Sequence, residues 1–156
     1  MRSRRLAVLL ILVVGVGGSF AAEPVTIAVV KVHDGDTLDV MVNGEPQRWR
    51  LIGINTPETH EISPCGRVWA QRAQEALTAL VGAGGLRVEY DVVPRDKYDR
   101  HLVYLYASDV FINERLLRDG YGRVGTMGRN RTYAWVFGQA QTAARVQKLG
   151  MWADGW

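Results

Sequence analysis

Two stretches in the first half of the chain carry side chains of the types and spacing that handle a small anion. Arg50 opens and Glu58 closes the run RLIGINTPE, which is otherwise largely apolar. Leu51, Ile52 and Ile54 read as a short buried strand. Asn55-Thr56-Pro57 stops it, because the residue before a proline is pushed out of the helical region and proline has no N–H to give a ladder. A strand that delivers a guanidinium at one end, and a carboxylate at a fixed turn beyond the other, can hold both around one anion. Asp36 lies fourteen positions upstream of Arg50, inside the run HDGDT. The two stretches are expected to face each other.

Placing these groups falls to a series of short strands. Residues 25–32 are rich in β-branched side chains and read as a strand. Asp34-Gly35 signals a turn, 37–42 alternates into a second strand, and Asn43-Gly44 is a strong hairpin signal. Residues 47–54 then read as a third strand ending in the opening motif. Residues 60–66 form an irregular loop containing Pro64. From 67 to 81 the pattern turns helical, with Val68, Ala73, Ala76, Leu77 and Leu80 at three- and four-residue spacing, and the glycines of 82–85 end it. Residues 86–93 and 102–107 read as a second hairpin, joined by the polar turn PRDKYDR at 94–100. A short helix over 111–119 is stopped by Gly120. Residues 121–131 are glycine-rich and irregular. A last helix covers 133–149, with Phe137, Ala140, Ala144 and Leu149 on one side. Five short strands with helices inserted after the third and the fifth predict an α+β domain, a small five-stranded OB-type barrel with about three helices packed on it.

The N-terminal end reads as an address. Arg2, Arg4 and Arg5 precede an apolar run over 6–16. Its length of about eleven residues falls within the roughly 7–15 of a signal-peptide core and short of the ~20 of a membrane span. Ser19-Phe20-Ala21 puts small residues where a cut after Ala21 needs them. Residues 1–21 are therefore expected to be removed on export to the periplasm or beyond. That leaves 22–156 as one domain with a single core and no stable membrane association. Of 19 basic residues three leave with the address, so 16 remain against 16 acidic ones. Net charge then carries no signal for nucleic acid, and only the placement of charge can. Cys65, the single cysteine, cannot close an internal disulfide and reads as passive. His33, His60 and His101 lack metal-ligand spacing and read as incidental. The tryptophans read as packing residues rather than a stacking surface.

Taken together, the chain resembles the staphylococcal (thermo)nuclease family over nearly the whole of 22–156. VHDGDTLDVMVNGEPQRWRLIGINTPE is similar to that family's opening three strands, with its DGDT and RLxxxDTPE-type motifs. DKYDR resembles its DKYGR turn, LVYLYASDVFINERLLRDGYGRV its following strand and helix, and AQTAARVQKLGMW its last helix and tryptophan. The four motifs occur in the right order. The resemblance implies an OB-fold barrel and a calcium-dependent phosphodiesterase that acts on single- or double-stranded DNA and RNA, leaves 3′-phosphates and works as a monomer.

Phosphodiester hydrolysis must place a water in line with phosphorus, spread charge off the equatorial oxygens and support the leaving oxygen. By the resemblance, Asp36 is the metal carboxylate, and calcium suits it because that ion prefers carboxylate and carbonyl oxygens. Asn55 stands where the family usually has a second metal-binding aspartate. It keeps a carbonyl oxygen but loses one formal charge, so calcium affinity is expected to fall on the order of tenfold or more. The backbone carbonyl of Thr56 matches a third ligand. Glu58 matches the general base, and Arg50 and Arg100 the two guanidiniums that grip the scissile phosphate bidentately. Lys97 and Tyr98 match residues that contact a bound nucleotide's terminal phosphate. Asp34 is expected behind the ligands, holding one of them or a water. Thr126 and Gly128 stand where family tyrosines line the base pocket, and Arg123, Arg129 and Arg131 nearby are available for phosphate contacts or for solvent. A second reading is a nuclease-fold module that binds nucleic acid with weak or lost turnover, with Asn55 as its mark.

Overall fold

A computed structural model describes residues 26–58, 60 and 63–156. The expected signal segment, 1–21, lies outside the described residues. Asn43 and Gly44 both take the left-handed conformation, with φ of 50° and 86°. This is what a two-residue hairpin turn requires of its central positions. The turn joins β2 (Thr37–Val42) to β3 (Glu45–Leu51) with Asp39 opposite Arg48 and Thr37 opposite Arg50. β1 (Ile27–Val32) pairs antiparallel with β2 and slips register between Val29 and Lys31. β3 continues in parallel pairing with β6 (His101–Ala107), which is antiparallel to β5 (Leu86–Glu89). The sheet order is β1-β2-β3-β6-β5, the five strands of an OB-type barrel. Alternation along the strands turns Leu38, Val40, Trp49, Leu51, Val103, Leu105 and Ala107 inward.

Helices α1 (Pro64–Gly82), α2 (Ile112–Arg118) and α3 (Ala134–Val146) cover this apolar face with Leu77, Val81, Ile112, Leu116, Leu117, Phe137 and Ala140. The fold is the expected α+β barrel with three helices. Short pairs complete it: β4 (Ile54–Asn55) with β8 (Arg123–Val124), and β7 (Val110–Phe111) on β6. A 3-10 turn (Gly150–Asp154) closes the chain.

Several expected boundaries move. The third strand ends at Leu51, not at 54. Gly53 sits at φ 78°, and the side-chain amide of Asn113 captures the Ile52 carbonyl at 2.9 Å, so the apolar run breaks into two strands. α1 begins at Pro64 rather than 67. Ser63 caps it by accepting the Gly66 N–H at 3.0 Å, and proline's fixed φ suits the first helical position. Its buried face is Trp69, Ala70, Ala73, Leu77 and Val81, while Val68 is exposed. β5 stops at Glu89 because Asn130 binds both the N–H and the carbonyl of Val93, each at 2.8 Å. α3 ends at Val146, and Lys148 turns left-handed at φ 52°. Within 121–131, expected to be irregular, Arg123 and Val124 form a strand pair. Among the tryptophans, Trp49 is buried, but Trp135 is 75% exposed and is no packing residue.

Candidate active site

The β2–β3 hairpin brings Asp36 and Arg50 together, since the Leu51 N–H donates to the Asp36 carbonyl at 2.8 Å. The Asp36 side chain is buried and densely bonded. Its Oδ2 accepts the Thr56 N–H at 2.9 Å and the Thr56 hydroxyl at 3.2 Å; its Oδ1 accepts the Thr37 hydroxyl at 3.0 Å. Arg50 Nη1 lies 3.1 Å from Oδ1. Burial pushes the Asp36 carboxyl up to about 7. The nearby Arg50 charge and the Thr56 amide oppose the rise, and the neighbouring Asp34 adds to it. Asp34 stands behind the loop, with its Oδ1 accepting the Asp36 N–H at 2.9 Å.

Arg50 is fixed from several sides. Nη1 donates to the carbonyls of Leu51 (2.9 Å) and Ile54 (2.8 Å), and Nη2 to Asn55 Oδ1 at 3.2 Å. Among the described residues these bonds leave Nε–H and one Nη2–H, two donors on one edge of the guanidinium. Such an edge binds a phosphate bidentately. Asp36, Arg50, Asn55 and Thr56 thus form one bonded cluster around the β3–β4 break. Glu58 is exposed just beyond it, past the buried Pro57. Among the described residues no three His, Cys, Asp or Glu side chains gather as a metal cluster. The oxygens in the cluster are one carboxylate, one amide oxygen, the Thr56 hydroxyl and backbone carbonyls.

Arg100 is delivered by the turn before β6. Asp96 organises that turn: its Oδ1 accepts the N–H groups of Tyr98 (2.9 Å) and Arg100 (3.0 Å), and its Oδ2 receives the Arg100 Nε and Nη2 at 2.7 Å each. Burial would raise this carboxyl, but the bonds from Arg100 and the two amides outweigh it and hold it below the usual carboxylate range. Asp96 escaped the sequence reading. Its signal was the acid four residues before the arginine in DKYDR, legible only as a turn.

A cleft of about 720 Å³ joins these parts. Arg50, Asn55, Lys97 and Arg100 line it, together with Arg95, Arg123 and Arg129, and among the described residues Asp96 is the one carboxylate on its wall. Tyr98 is 68% exposed and lines a neighbouring groove with Arg48 and Asp39 instead. Thr126 and Gly128 lie on the cleft wall, so that stretch is without an aromatic face. Asp36, Asp34, Thr56 and Glu58 do not line the cleft; Asp36 is joined to it through Arg50, and Thr56 and Asp34 bond to Asp36. His33 contacts Asp39 at 2.7 Å, His101 contacts the Tyr90 hydroxyl at 3.2 Å, and His60 is exposed. The exposed Cys65 has its sulfur 4.0 Å from Asp154. Among the described residues no helix is long and apolar enough to cross a membrane.

The family described as staphylococcal nuclease homologues matches residues 48–154. A thermonuclease from Staphylococcus intermedius is 34% identical over 128 residues, covering 80% of this chain and 74% of that protein. A thermonuclease from Staphylococcus hyicus is 31% identical over 133 residues, covering 85% and 79%. The SPbeta prophage-derived endonuclease YokF of Bacillus subtilis (strain 168) is 33% identical over 133 residues; the match covers 84% of this chain but only 45% of YokF.

Proposed function

The chain belongs to the staphylococcal nuclease homologue family, and from that premise we propose that it is an exported, monomeric, calcium-dependent phosphodiesterase hydrolysing DNA and RNA to 3′-phosphate products. The observation that carries the reading is the free Nε/Nη2 edge of Arg50 on a cleft it shares with Arg100. Two guanidiniums on one cleft suit a phosphodiester, and each can bind it through a fork of donors. In other phosphoryl-transfer enzymes such an arginine is worth roughly 10³–10⁵ in rate.

The residues fit a hard cation in donor type. Asp36 offers a carboxylate that the protein under-compensates, as its raised pKa of about 7 indicates. Asn55 Oδ1 and the Thr56 carbonyl add neutral oxygens, and oxygen donors are what calcium takes. Bound there, the ion would supply positive charge against the phosphate oxygens. The rest of the work belongs to the chain. Arg50, locked by the Leu51 and Ile54 carbonyls, and Arg100, locked by Asp96, orient the phosphate and neutralise it as charge builds. Glu58, exposed at the cluster's edge, accepts a proton from the attacking water. Lys97 extends the positive wall of the cleft, and Tyr98 offers a face in the neighbouring groove.

One observation favours the binding reading. Asn55 Oδ1 already accepts from Arg50, so the neutral amide serves the arginine as well as any cation. The deciding experiment is cleavage of denatured DNA by residues 22–156 across a calcium titration, with an EDTA control, for wild type and Asn55→Asp. Cleavage abolished by EDTA is expected from wild type, at about tenfold or more higher calcium than Asn55→Asp needs. Silence from wild type beside an active Asn55→Asp would establish the binding module. Silence from both would overturn the site.

A further inference from the structure

Among the described residues six basic side chains line the cleft: Arg50, Arg95, Lys97, Arg100, Arg123 and Arg129. Three are matched by carboxylates: Arg50 by Asp36, Arg95 by Asp99 and Arg100 by Asp96. Among the described residues, Lys97, Arg123 and Arg129 have no carboxylate within ion-pair reach. We propose that Arg123 and Arg129, on β8 and the loop leading to α3, form a second phosphate subsite that holds the phosphodiester one nucleotide along from the bond gripped by Arg50 and Arg100. This rests on the nuclease reading above.

The backbone is built to bring Arg123 there. β8 pairs with β4 so that Arg123 is the partner of Asn55, and directly paired residues project to the same face of a ladder. Asn55 in turn is bonded to Arg50. Glycines on either side of β8 permit this approach. A Cβ at Gly122 would lie 2.9 Å from the Asn55 carbonyl oxygen, and one at Gly125 would lie 3.2 Å from the Ile54 carbonyl. A side chain at 122 would force β8 and the Asn55 backbone apart, and one at 125 would crowd the Ile54 carbonyl.

The loop bearing Arg129 is equally fixed. The buried Asn130 binds Val93 through both its N–H and its carbonyl, and Arg131 Nε donates to the Gly128 carbonyl at 2.8 Å. Gly128 has open space where a side chain would stand. With no aromatic ring at 126 or 128, this wall offers charge and backbone rather than a stacking face. The ligand class is therefore a chain of repeated phosphodiesters, held without regard to base.

Binding of a 5′-labelled decathymidylate, followed by anisotropy in EDTA between 50 and 200 mM NaCl, tests this without requiring cleavage. Each phosphate neutralised on a single strand contributes about 0.7 to the slope of log affinity against log salt. Arg123→Ala/Arg129→Ala removes the grip on one phosphate and should lower that slope by about 0.7, so that over this range the variant loses about 2.6-fold less affinity than wild type. Arg123→Lys/Arg129→Lys keeps both charges and should restore the slope, a rescue that a merely structural role would not give. An unchanged slope in the alanine variant, no rescue by lysine, or no binding by wild type would overturn the subsite. If wild type never cleaves at any calcium concentration yet shows the expected slopes, catalysis fails as a reading and the subsite stands.

Discussion

Arg100 owes its position to a carboxylate that need never touch the substrate. Asp96 ties the turn through two amides and pins the guanidinium through a single oxygen. An asparagine there would keep an acceptor for the turn but give up the charged partner of Arg100. Asp96→Asn is therefore expected to keep the fold and lose about 10–100-fold in kcat/KM, the scale on which misplacing a catalytic group acts. Arg100→Lys should lose more, about 10³-fold, because a point charge replaces the fork. Steady-state kinetics on one oligonucleotide would rank the two. An Asp96→Asn enzyme within twofold of wild type would show that Arg100 finds its place unaided. Of these two residues, the arginine was legible from its motif. The acid was not, since its role exists only once the turn is folded.

Among the elements, the break between β3 and β4 decides where the site forms, and Asn113 on α2 makes it. The side chain is fully buried. Its Oδ1 accepts the Leu105 N–H at 2.9 Å, and its Nδ2 donates to the carbonyls of Ile52 (2.9 Å) and Val103 (3.2 Å). Asn113→Ala would take this partner from the Leu105 N–H and the Ile52 carbonyl, while the Val103 carbonyl keeps the Ile52 N–H at 2.9 Å. A loss of about 2–4 kcal/mol is expected, measured as a lower urea midpoint at unchanged m-value. A loss below 1 kcal/mol would mean that water or a shifted backbone replaces the amide. The hairpin before this break could be read directly, because Asn-Gly and strict alternation fix its register, and with it the approach of Asp36 to Arg50. The break itself could not. Leu51 to Ile54 is apolar throughout, and the residue that divides it comes about sixty positions later. Pro64 misled for the same kind of reason: it looks like loop until Ser63 is seen capping the helix. Trp135 follows from the phase of α3, whose inward positions at Phe137, Ala140 and Ala144 leave 135 facing outward. The second cationic wall depends on β8 meeting β4, a contact no local pattern announces.

At the scale of the whole molecule, β1, β2 and β3 are stitched together on their outer side. Asp39 on β2 receives Arg48 from β3 at 2.7 and 3.1 Å and lies 2.7 Å from His33 at the end of β1. The opposite faces of these strands hold Leu38, Val40 and Trp49 in the core, so only global unfolding separates the triplet fully. The Arg48 hydrogen bonds, and after them His33, outweigh burial and hold the Asp39 carboxyl down at about 2, from an ordinary 3.8. A carboxyl depressed in the folded state stabilises it above its unfolded pKa, and that contribution is lost as pH falls through the folded value. The window is therefore from about 3.8 down to about 2. Arg48 is half exposed, so solvent screening reduces the stabilisation to about 1 kcal/mol. Urea unfolding from pH 5 to pH 2 in EDTA should find Asp39→Asn about 1 kcal/mol less stable than wild type at pH 5, with the gap closing toward pH 2. Parallel curves would mean that the triplet is wholly screened and that its strands are held by their core faces alone.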